Sequence, residues 1–305
     1  MLRLGSQECE EIYSHIRLNN QSVLHLIYDP RTAMIVYSRL SNWLSATAAV
    51  LLLSLGLPFS AHAQISADRP GFGTGSATVG AGTFQAELGY QFRSTWMPMV
   101  GQGFTTGANT HELGQGLFRY GITDALELRA GLNSYVLISG SNSGYTDYYS
   151  GASLGAKVRL FQTPTMRLSG LATLDLPTEL PSGPDDRARQ ELRLAFDTDL
   201  GDRFQLAING GTSFYYSAGI QNDRAVEWLF IPTLSADLTL SLDAYVGYAG
   251  FYGTFGGNSY SRDWLESGVT YRLTPDTQLD LNLGTRIGMD DVSDLSIGVG
   301  VSKRF

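Results

Sequence analysis

The sequence predicts an all-β protein: a transmembrane antiparallel β-barrel of twelve strands, preceded by a signal peptide. Three observations predict this fold. Apolar and polar residues alternate with a period of two over most of the chain after residue 83, as in strands with one apolar face. Short turns alternate with long stretches rich in glycine and tyrosine. Only 16% of the 305 residues are charged and 35 are glycine, against roughly 25% charged and about 7% glycine in ordinary soluble domains.

The first part of the chain is predicted to direct export rather than to join the barrel. A long apolar run is followed by an Ala-x-Ala site that ends at Ala63, the layout of a signal peptide cleaved after that residue. The run is shorter than the roughly 20 residues that a transmembrane helix needs. We therefore assign residues 34–63 to a signal peptide that starts at Met34, and residues 1–33 to a dispensable leader. An uncleaved membrane anchor is the alternative.

Individual strands show the alternation clearly. Leu279, Leu281 and Leu283 alternate with polar or charged neighbours, so one face of this strand is apolar and the other is wet. Residues 83–305 are therefore assigned to the barrel. The same alternation occurs in 126–132, 150–160, 191–197 and 241–248.

The spacing of the connections distinguishes a membrane barrel from a soluble β-sandwich, which alternation alone would permit. Five tight turns are predicted at 122–125, 162–165, 200–203, 236–239 and 273–276. Six long loops are predicted at 93–110, 134–147, 177–190, 215–226, 250–261 and 287–294. Together they join twelve strands and place both ends of the barrel on the short-turn side, the arrangement of even-stranded outer-membrane barrels.

Aromatic residues and the last strand favour the same interpretation. The alternating segment 297–305 is closed by Phe305, which resembles the C-terminal signal of outer-membrane barrels and predicts recognition by the barrel-assembly machinery. Aromatic residues near the predicted strand ends would form two girdles at the membrane interfaces. They are Phe118, Tyr120, Phe204, Tyr271 and Phe305 near the turns, and Tyr90, Phe92, Phe214, Trp228 and Tyr248 towards the loops.

The polar face of the strands, which would line the lumen, carries charges of both signs. The lumen or constriction candidates flank the first two turns, and they are Arg119, Glu127, Arg129, Lys157, Arg159 and Arg167. Buried charges must be paired or hydrated, so these residues form either a structural ion-pair network or a charged constriction that sorts solutes. Residues 64–82 are too rich in glycine and polar residues to cross a membrane. They either enter the lumen as a plug or remain in the periplasm.

Several function classes are disfavoured. The net charge of -8 argues against nucleic-acid binding, which requires clustered basic residues. After residue 63 the only histidine is His111, and it has no serine neighbour of the kind found in outer-membrane phospholipases, so no catalytic residue is assigned. The single cysteine, Cys9, precedes the barrel, which excludes a disulfide framework there. We predict no cofactor and no metal.

Four stretches resemble a family of predicted outer-membrane transporters named for the meta-pathway (MetA-pathway) of phenol degradation. They are Ala67-Asp68-Arg69-Pro70, the segment 79–90, the segment 118–129 and Leu174-Asp175-Leu176-Pro177-Thr178, whereas Glu179 departs from the glycine expected after them. The resemblance implies a barrel that passes small, often aromatic or hydrophobic, compounds. It also implies that Asp68, Arg69 and Pro70 form an N-terminal lumen element and that Arg119, Glu127 and Arg129 are the matching strand charges.

The expected protein is therefore a monomeric outer-membrane barrel in contact with lipid, which acts as a passive channel for a small-molecule solute. Two alternatives remain. One is a non-conducting structural or adhesive barrel that binds a partner through its Tyr- and Gly-rich external loops. The more remote one is an outer-membrane hydrolase.

Overall fold

The fold is described from a computed structural model, which covers residues 65–98, 105–132, 134–140, 144–176, 188–216, 224–255, 258–288 and 293–305. The predicted leader and signal peptide lie outside these residues. Within them the chain forms strands joined by turns. The strands are β1 Phe84–Pro98, β2 Thr105–Gly121, β3 Leu126–Leu132, β4 Tyr135–Gly140, β5 Gly144–Tyr149, β6 Ala152–Gln162, β7 Met166–Leu176, β8 Arg189–Leu200, β9 Phe204–Tyr216, β10 Arg224–Asp237, β11 Leu242–Phe255, β12 Asn258–Thr274, β13 Thr277–Ile287 and β14 Ser293–Arg304.

The strands close into a single antiparallel barrel. From β6 to β14 each strand pairs with the next one in the chain, and β1 pairs with both β2 and β14, with Gln85 opposite Arg304. β3 and β4 both pair with β2, each along a different part of it. In the same way, β6 pairs with β3 and β5 pairs with β4, so β3 with β4, and β5 with β6, each count as one strand of the barrel. The fourteen strands therefore build a twelve-stranded barrel, as predicted. The pairing of β1 with β14 removes the free edges that the first and last strands of an open sheet would have, and among the described strands only β5 has a single partner, β4.

The five tight turns lie where the alternation predicts them, because turn residues interrupt each pattern locally. Three of the predicted long loops are in large part strand. β1 extends to Pro98 and β2 begins at Thr105. β4 and β5 form a hairpin. β11 extends to Phe255 and β12 begins at Asn258. A tilted strand needs only about 9 to 11 residues to cross a membrane. Tyrosine- and threonine-rich strands continue beyond that length because backbone pairing and β propensity do not depend on lipid.

The two faces of the wall have opposite character. Large apolar side chains are exposed on the outer face, where a soluble protein would bury them. Examples are Leu128, Leu154, Leu160, Leu194, Trp228, Val246 and Leu283. The inner face carries the buried polar and charged side chains, including Glu87, Arg119, Glu127, Lys157, Asp197, Asn209 and Glu266. The outer surface is therefore suited to hydrocarbon and the inner surface to a polar lumen.

Aromatic side chains lie near both ends of the outer face. At the turn end, the ring of Phe84 lies 5.7 Å from that of Phe305 and 6.2 Å from that of Phe118. At the loop end, the hydroxyls of Tyr248 and Tyr252 hydrogen-bond to Asp263, so this carboxylate has polar partners. No helix in the described ranges is long and apolar enough to span a membrane.

Candidate functional site in the barrel lumen

Residues 65–82, hereafter the N-terminal segment, lie against the inward side chains of the strands. From Asp68 to Val79 the backbone N–H groups of the segment donate to side chains, and only at its end does Gly82 donate to a strand carbonyl, that of Gly121. The backbone donors and their side-chain acceptors, with N···O distances, are Asp68 and Arg69 to Glu87 (3.0 and 3.1 Å), Phe72 to Glu266 (3.0 Å), Thr74 to Asn209 (2.9 Å), Ser76 to Asp197 (2.9 Å) and Val79 to Glu127 (3.0 Å). Buried backbone groups need partners, so the acidic side chains of the lumen act as acceptors for this segment.

The side-chain amide of Asn209 on β9 hydrogen-bonds to the backbone of the segment as a neighbouring strand would. Its Oδ1 accepts from the Thr74 N–H, and its Nδ2 donates to the Thr74 carbonyl at 3.0 Å. Two residues further on, the Ser76 hydroxyl donates to Asp197 at 2.6 Å, and the Ser169 hydroxyl donates to the Ser76 carbonyl at 2.5 Å. The middle of the segment is thus bound by polar side chains from three strands.

Asp68 joins three cations at the turn end of the lumen. Its carboxylate lies 2.5 Å from the Arg129 guanidinium, 3.2 Å from the Lys157 ammonium and 3.6 Å from the Arg119 guanidinium. The Asp68 side chain is only 5% exposed, and those of Arg119 and Lys157 are fully buried. Water screens these interactions weakly, so each one is stronger than a surface ion pair.

The same cations bind two carboxylates of the wall. Arg119 lies 2.8 Å from Glu127 and 3.1 Å from Glu87, and Arg129 lies 2.9 Å from Glu127. We call Asp68, Glu87, Arg119, Glu127, Arg129 and Lys157 the charge cluster. The wall supplies three positive and two negative charges, and Asp68 brings the third negative charge. The cluster is therefore neutral only when the N-terminal segment is docked.

The electrostatics of Asp68 follow from this arrangement. Burial by itself would raise the pKa of Asp68, but Arg119, Arg129 and Lys157 together hold it well below its ordinary value. Asp68 therefore remains ionised when the segment is docked. Arg119 and Lys157 also bind the segment directly, because both donate to the Ala77 carbonyl, at 3.0 and 3.3 Å.

Arg69 fixes the segment on the opposite side. Its guanidinium lies 3.5 Å from Asp280, whose side chain is fully buried, and donates to Gln115 at 2.9 Å. The guanidinium fits here because two wall residues lack side chains. A Cβ on Gly89 would lie 2.1 Å from the Arg69 Cζ, and one on Gly300 would lie 2.4 Å from its Nε.

Two cavities adjoin the N-terminal segment. The larger measures about 540 Å3, is lined by Pro70 and by strands β8 to β13, and is rich in carboxylates. They are Asp68, Asp197, Asp199, Asp202, Asp237, Asp243 and Glu266, with Arg69 and Arg203 as the basic residues of the lining. The smaller cavity, about 360 Å3, adjoins Glu87, Glu112 and Gln115.

One part of the lumen is apolar. Leu229, Ile231, Ala249 and Trp264 are inward-facing and buried, and Phe72 and Phe251 pack against them. The Phe72 ring centroid lies 5.6 Å from that of Trp264 and 5.7 Å from that of Phe251. We call the five wall residues Leu229, Ile231, Ala249, Phe251 and Trp264 the apolar cluster. It binds the N-terminal segment through a single side chain, that of Phe72.

Comparison with known proteins places the chain in a family. The profile of the family described as "Putative MetA-pathway of phenol degradation" matches residues 67–305, which include the whole barrel. The chain belongs to this family. No curated protein matches the chain in sequence.

Solved structures show the same fold as this member of the MetA-pathway family. A COG4313 outer membrane channel from Pseudomonas putida F1 is 16% identical, with a TM-score of 0.58 over 78% of this chain and 99% of that one. The translocator domain of the autotransporter NalP from Neisseria meningitidis is 12% identical, with a TM-score of 0.50 over 74% of this chain and 90% of that one. The first of these is described as an outer membrane channel, in agreement with an outer-membrane barrel.

The six lumen candidates of this family member divide into two groups. Arg119, Glu127, Arg129 and Lys157 meet in the charge cluster. The other two lie elsewhere: Arg167 is 3.9 Å from Asp199, and Arg159 is half-buried, with its backbone N–H donating to the Ala125 carbonyl. Of the N-terminal candidates, Asp68 enters the charge cluster, Arg69 pairs with Asp280, and Pro70 lines the larger cavity.

His111 of this family member lies among aromatic side chains. Its Nδ1 is 2.8 Å from the Tyr90 hydroxyl, and its ring centroid is 5.1 Å from that of Phe92. Among the residues with described positions, no three His, Cys, Asp or Glu side chains are grouped to bind a metal ion.

Sequence reasoning missed the residues that bind the segment between its charged ends. Asn209 occupies an inward position of β9 with no feature that marks it. The apolar cluster left a clearer signal, since residues 228–232 of β10 are all apolar and therefore break the alternation. Phe72 is the only aromatic residue of the segment, and glycine precedes and follows it.

Proposed function

We propose that this chain is an outer-membrane channel through which small solutes, aromatic and hydrophobic compounds among them, diffuse passively. The observation that carries the proposal is the lumen, where two cavities adjoin a segment held by side-chain contacts. If the segment were an ordinary strand, backbone pairing with the wall would close the space that these cavities occupy. Membership of a family named for phenol degradation and the fold shared with an outer membrane channel support the same function. The proposal assigns no catalytic step to the chain.

The N-terminal segment serves as the plug of this channel. The charge cluster is a structural network while Asp68 is docked, because every charge in it has an opposite partner. When the segment leaves, Arg119, Arg129 and Lys157 exceed Glu87 and Glu127 by one positive charge. The same residues then form a positively charged constriction. The two sequence hypotheses for these residues thus describe two states of one site.

Export and assembly complete the proposal. Residues 34–63 direct secretion and are removed after Ala63, which frees the N-terminal segment to enter the lumen. The barrel-assembly machinery recognises the last strand through Phe305, whose N–H donates to the Phe84 carbonyl at 2.8 Å where the barrel closes. The barrel acts as a monomer, because its first and last strands pair with each other and do not offer an edge to a second copy.

The test compares cells that express the full chain with cells that carry the empty vector. Uptake of radiolabelled phenol, benzoate and glucose is measured, and fractionation verifies equal amounts of barrel in the outer membrane. A channel raises entry of at least one solute several-fold, and the N-terminal residue of the purified protein is Gln64. Equal uptake in both strains, with a folded barrel present, would refute the channel.

A further inference from the structure

The apolar cluster is unusual for the interior of a barrel that is otherwise polar. Leu229, Ile231, Ala249 and Trp264 are each no more than 6% exposed, although they point into the lumen. Barrel interiors that conduct polar solutes carry polar side chains at such positions. An apolar patch inside the lumen therefore suits an apolar occupant. In this structure the occupant is the side chain of Phe72.

We infer that the apolar cluster is a binding site for a monocyclic aromatic solute, and that Phe72 occupies it as an internal stand-in. The inference rests on the proposed channel function. Phe72 presents a benzene-sized ring between Trp264 and Phe251, with interplanar angles of 49° and 71°. Centroid separations of 4.5 to 7 Å in tilted or edge-to-face geometry are those that aromatic pairs favour. A solute ring gains the same contacts.

The rim of the site suits a polar substituent on that ring. The Arg93 guanidinium lies 5.4 Å from the Trp264 ring centroid, and the Arg262 guanidinium lies 5.4 Å from that of Phe251. Arg262 also pairs with Glu227. Guanidinium groups stack on aromatic faces and donate to hydroxyl or carboxylate oxygens. The site therefore fits phenols and aromatic acids better than unsubstituted hydrocarbons.

Phe72 is held in a way that permits exchange. Its backbone makes two hydrogen bonds, from its N–H to Glu266 and from Arg193 to its carbonyl, both at 3.0 Å. Gly71 precedes it with a φ of 99°, in the region that favours glycine, and Gly73 follows. Two glycines let the ring leave its site while Asp68, four residues earlier, stays in the charge cluster. A solute thus competes with Phe72 for one position.

The experiment measures binding of 4-bromophenol to protein purified from outer membranes of cells that express the full chain. The bromine quenches tryptophan fluorescence, and the part due to the site is the part that the Trp264→Phe variant lacks. Phe72→Ala removes the competing ring and leaves an apolar cavity of the kind that binds benzene-like molecules. We expect its dissociation constant to fall about tenfold or more below that of the unmodified protein, because the competent state becomes fully populated.

Phe230→Ala is the matched control. Phe230 lies on β10 between Leu229 and Ile231, but its side chain is 48% exposed on the lipid-facing surface. Loss of this phenyl ring leaves the site unchanged, so the dissociation constant should remain that of the unmodified protein. An equal dissociation constant for Phe72→Ala and Phe230→Ala overturns the inference. If Phe72→Ala does not assemble, Phe72→Leu supplies the comparison, with an intermediate decrease expected.

A filling substitution separates the site from the channel. Ala249→Leu, added to Phe72→Ala, places a side chain where the solute ring would lie, so 4-bromophenol binding and uptake should both fall. Glycerol uptake should stay at the level of Phe72→Ala. Unchanged 4-bromophenol binding in the double variant overturns the inference and leaves the channel intact. No solute uptake by any variant or by the unmodified protein instead refutes the proposed channel.

Discussion

Asp68 and Phe72 lie four residues apart on the N-terminal segment, yet the wall binds them by opposite chemistry. Asp68 meets three cations within 3.6 Å, and its charge balances a buried cluster. The side chain of Phe72 meets apolar side chains and two aromatic rings, and the charged groups that contact Phe72 bind only its backbone. An apolar ring can be exchanged for another of similar size at small cost. A buried ion cannot be removed without leaving its partners unpaired.

The two contacts therefore have different roles in holding the segment. The charge cluster fixes where the segment docks, because only an anion at residue 68 neutralises it. The apolar cluster then offers a replaceable contact further along the lumen. Each prediction below alters one side of this contrast, and the expected effects decrease in order.

Asp68→Asn should produce the largest effect. It keeps the shape of the side chain but removes the charge, so Arg119, Arg129 and Lys157 face only Glu87 and Glu127. Breaking a buried ion pair on one side costs about 3 to 5 kcal/mol, which should undock the segment and raise single-channel conductance. Asp276→Asn, in the turn between β12 and β13 and outside the lining of both cavities, is the control and should conduct like the unmodified protein. An unchanged conductance for Asp68→Asn would contradict the role of Asp68 in holding the segment in the lumen.

Gly89→Ala should loosen the segment less. The added Cβ lies 2.1 Å from the Arg69 Cζ, so the guanidinium must move and its contacts with Gln115 and Asp280 weaken. A lost hydrogen bond to a charged group costs about 1.5 to 3 kcal/mol, and the charge cluster is untouched. Faster proteolysis of residues 65–82 in the purified barrel measures the effect. Gly210→Ala is the control, because its Cβ meets nothing within 4 Å. Equal proteolysis rates in both variants would contradict the role of Gly89.

Glu266→Ala and Glu266→Gln should differ by a small amount. Glu266 accepts the Phe72 N–H, and a Gln side chain can still accept it, whereas Ala cannot. The loss of one such bond is worth about 1 kcal/mol, so Glu266→Ala should tighten 4-bromophenol binding about fivefold by releasing Phe72. Glu266→Gln should bind like the unmodified protein. Equal affinities for the two variants would show that this bond does not hold Phe72 in place.

The fold could be predicted from sequence to a large extent because its signals are local. The alternation around Leu279 fixes which residues face lipid, and the turn residues at 122–125 fix where β2 ends. Strand length was less accessible. Backbone pairing carries β11 to Phe255 and β12 back from Asn258, whereas the sequence there reads as a glycine- and tyrosine-rich loop.

The site could be predicted only in part, for a different reason. Alternation shows that Arg119 and Lys157 face the lumen, but not which anion they meet. Their partner Asp68 belongs to no strand and carries no periodic signal. The apolar cluster was missed because its members come from β10, β11 and β12 and meet only in the closed barrel. The face of the strand on which a residue lies follows from the local sequence pattern. The residues that it contacts depend on how the barrel closes in three dimensions.

The smallest effect is expected from pH changes that leave Asp68 ionised. The pKa of Asp68 is held well below its ordinary value of about 3.9 by Arg119, Arg129 and Lys157, against the opposing effect of burial. A carboxyl group whose pKa is lowered on docking contributes its full stabilisation above the ordinary pKa, and loses it as pH falls through the docked-state pKa. Glu87 and Glu127 also face this cluster and remain paired with Arg119. Protonation of Asp68 should therefore contribute no change in conductance between about pH 5 and pH 8 and should increase conductance only well below pH 4. A reversible opening with a midpoint between pH 5 and pH 7 would show that a group other than Asp68 controls docking. Asp68→Asn should lack the acid-induced step, because it has no carboxyl group to protonate.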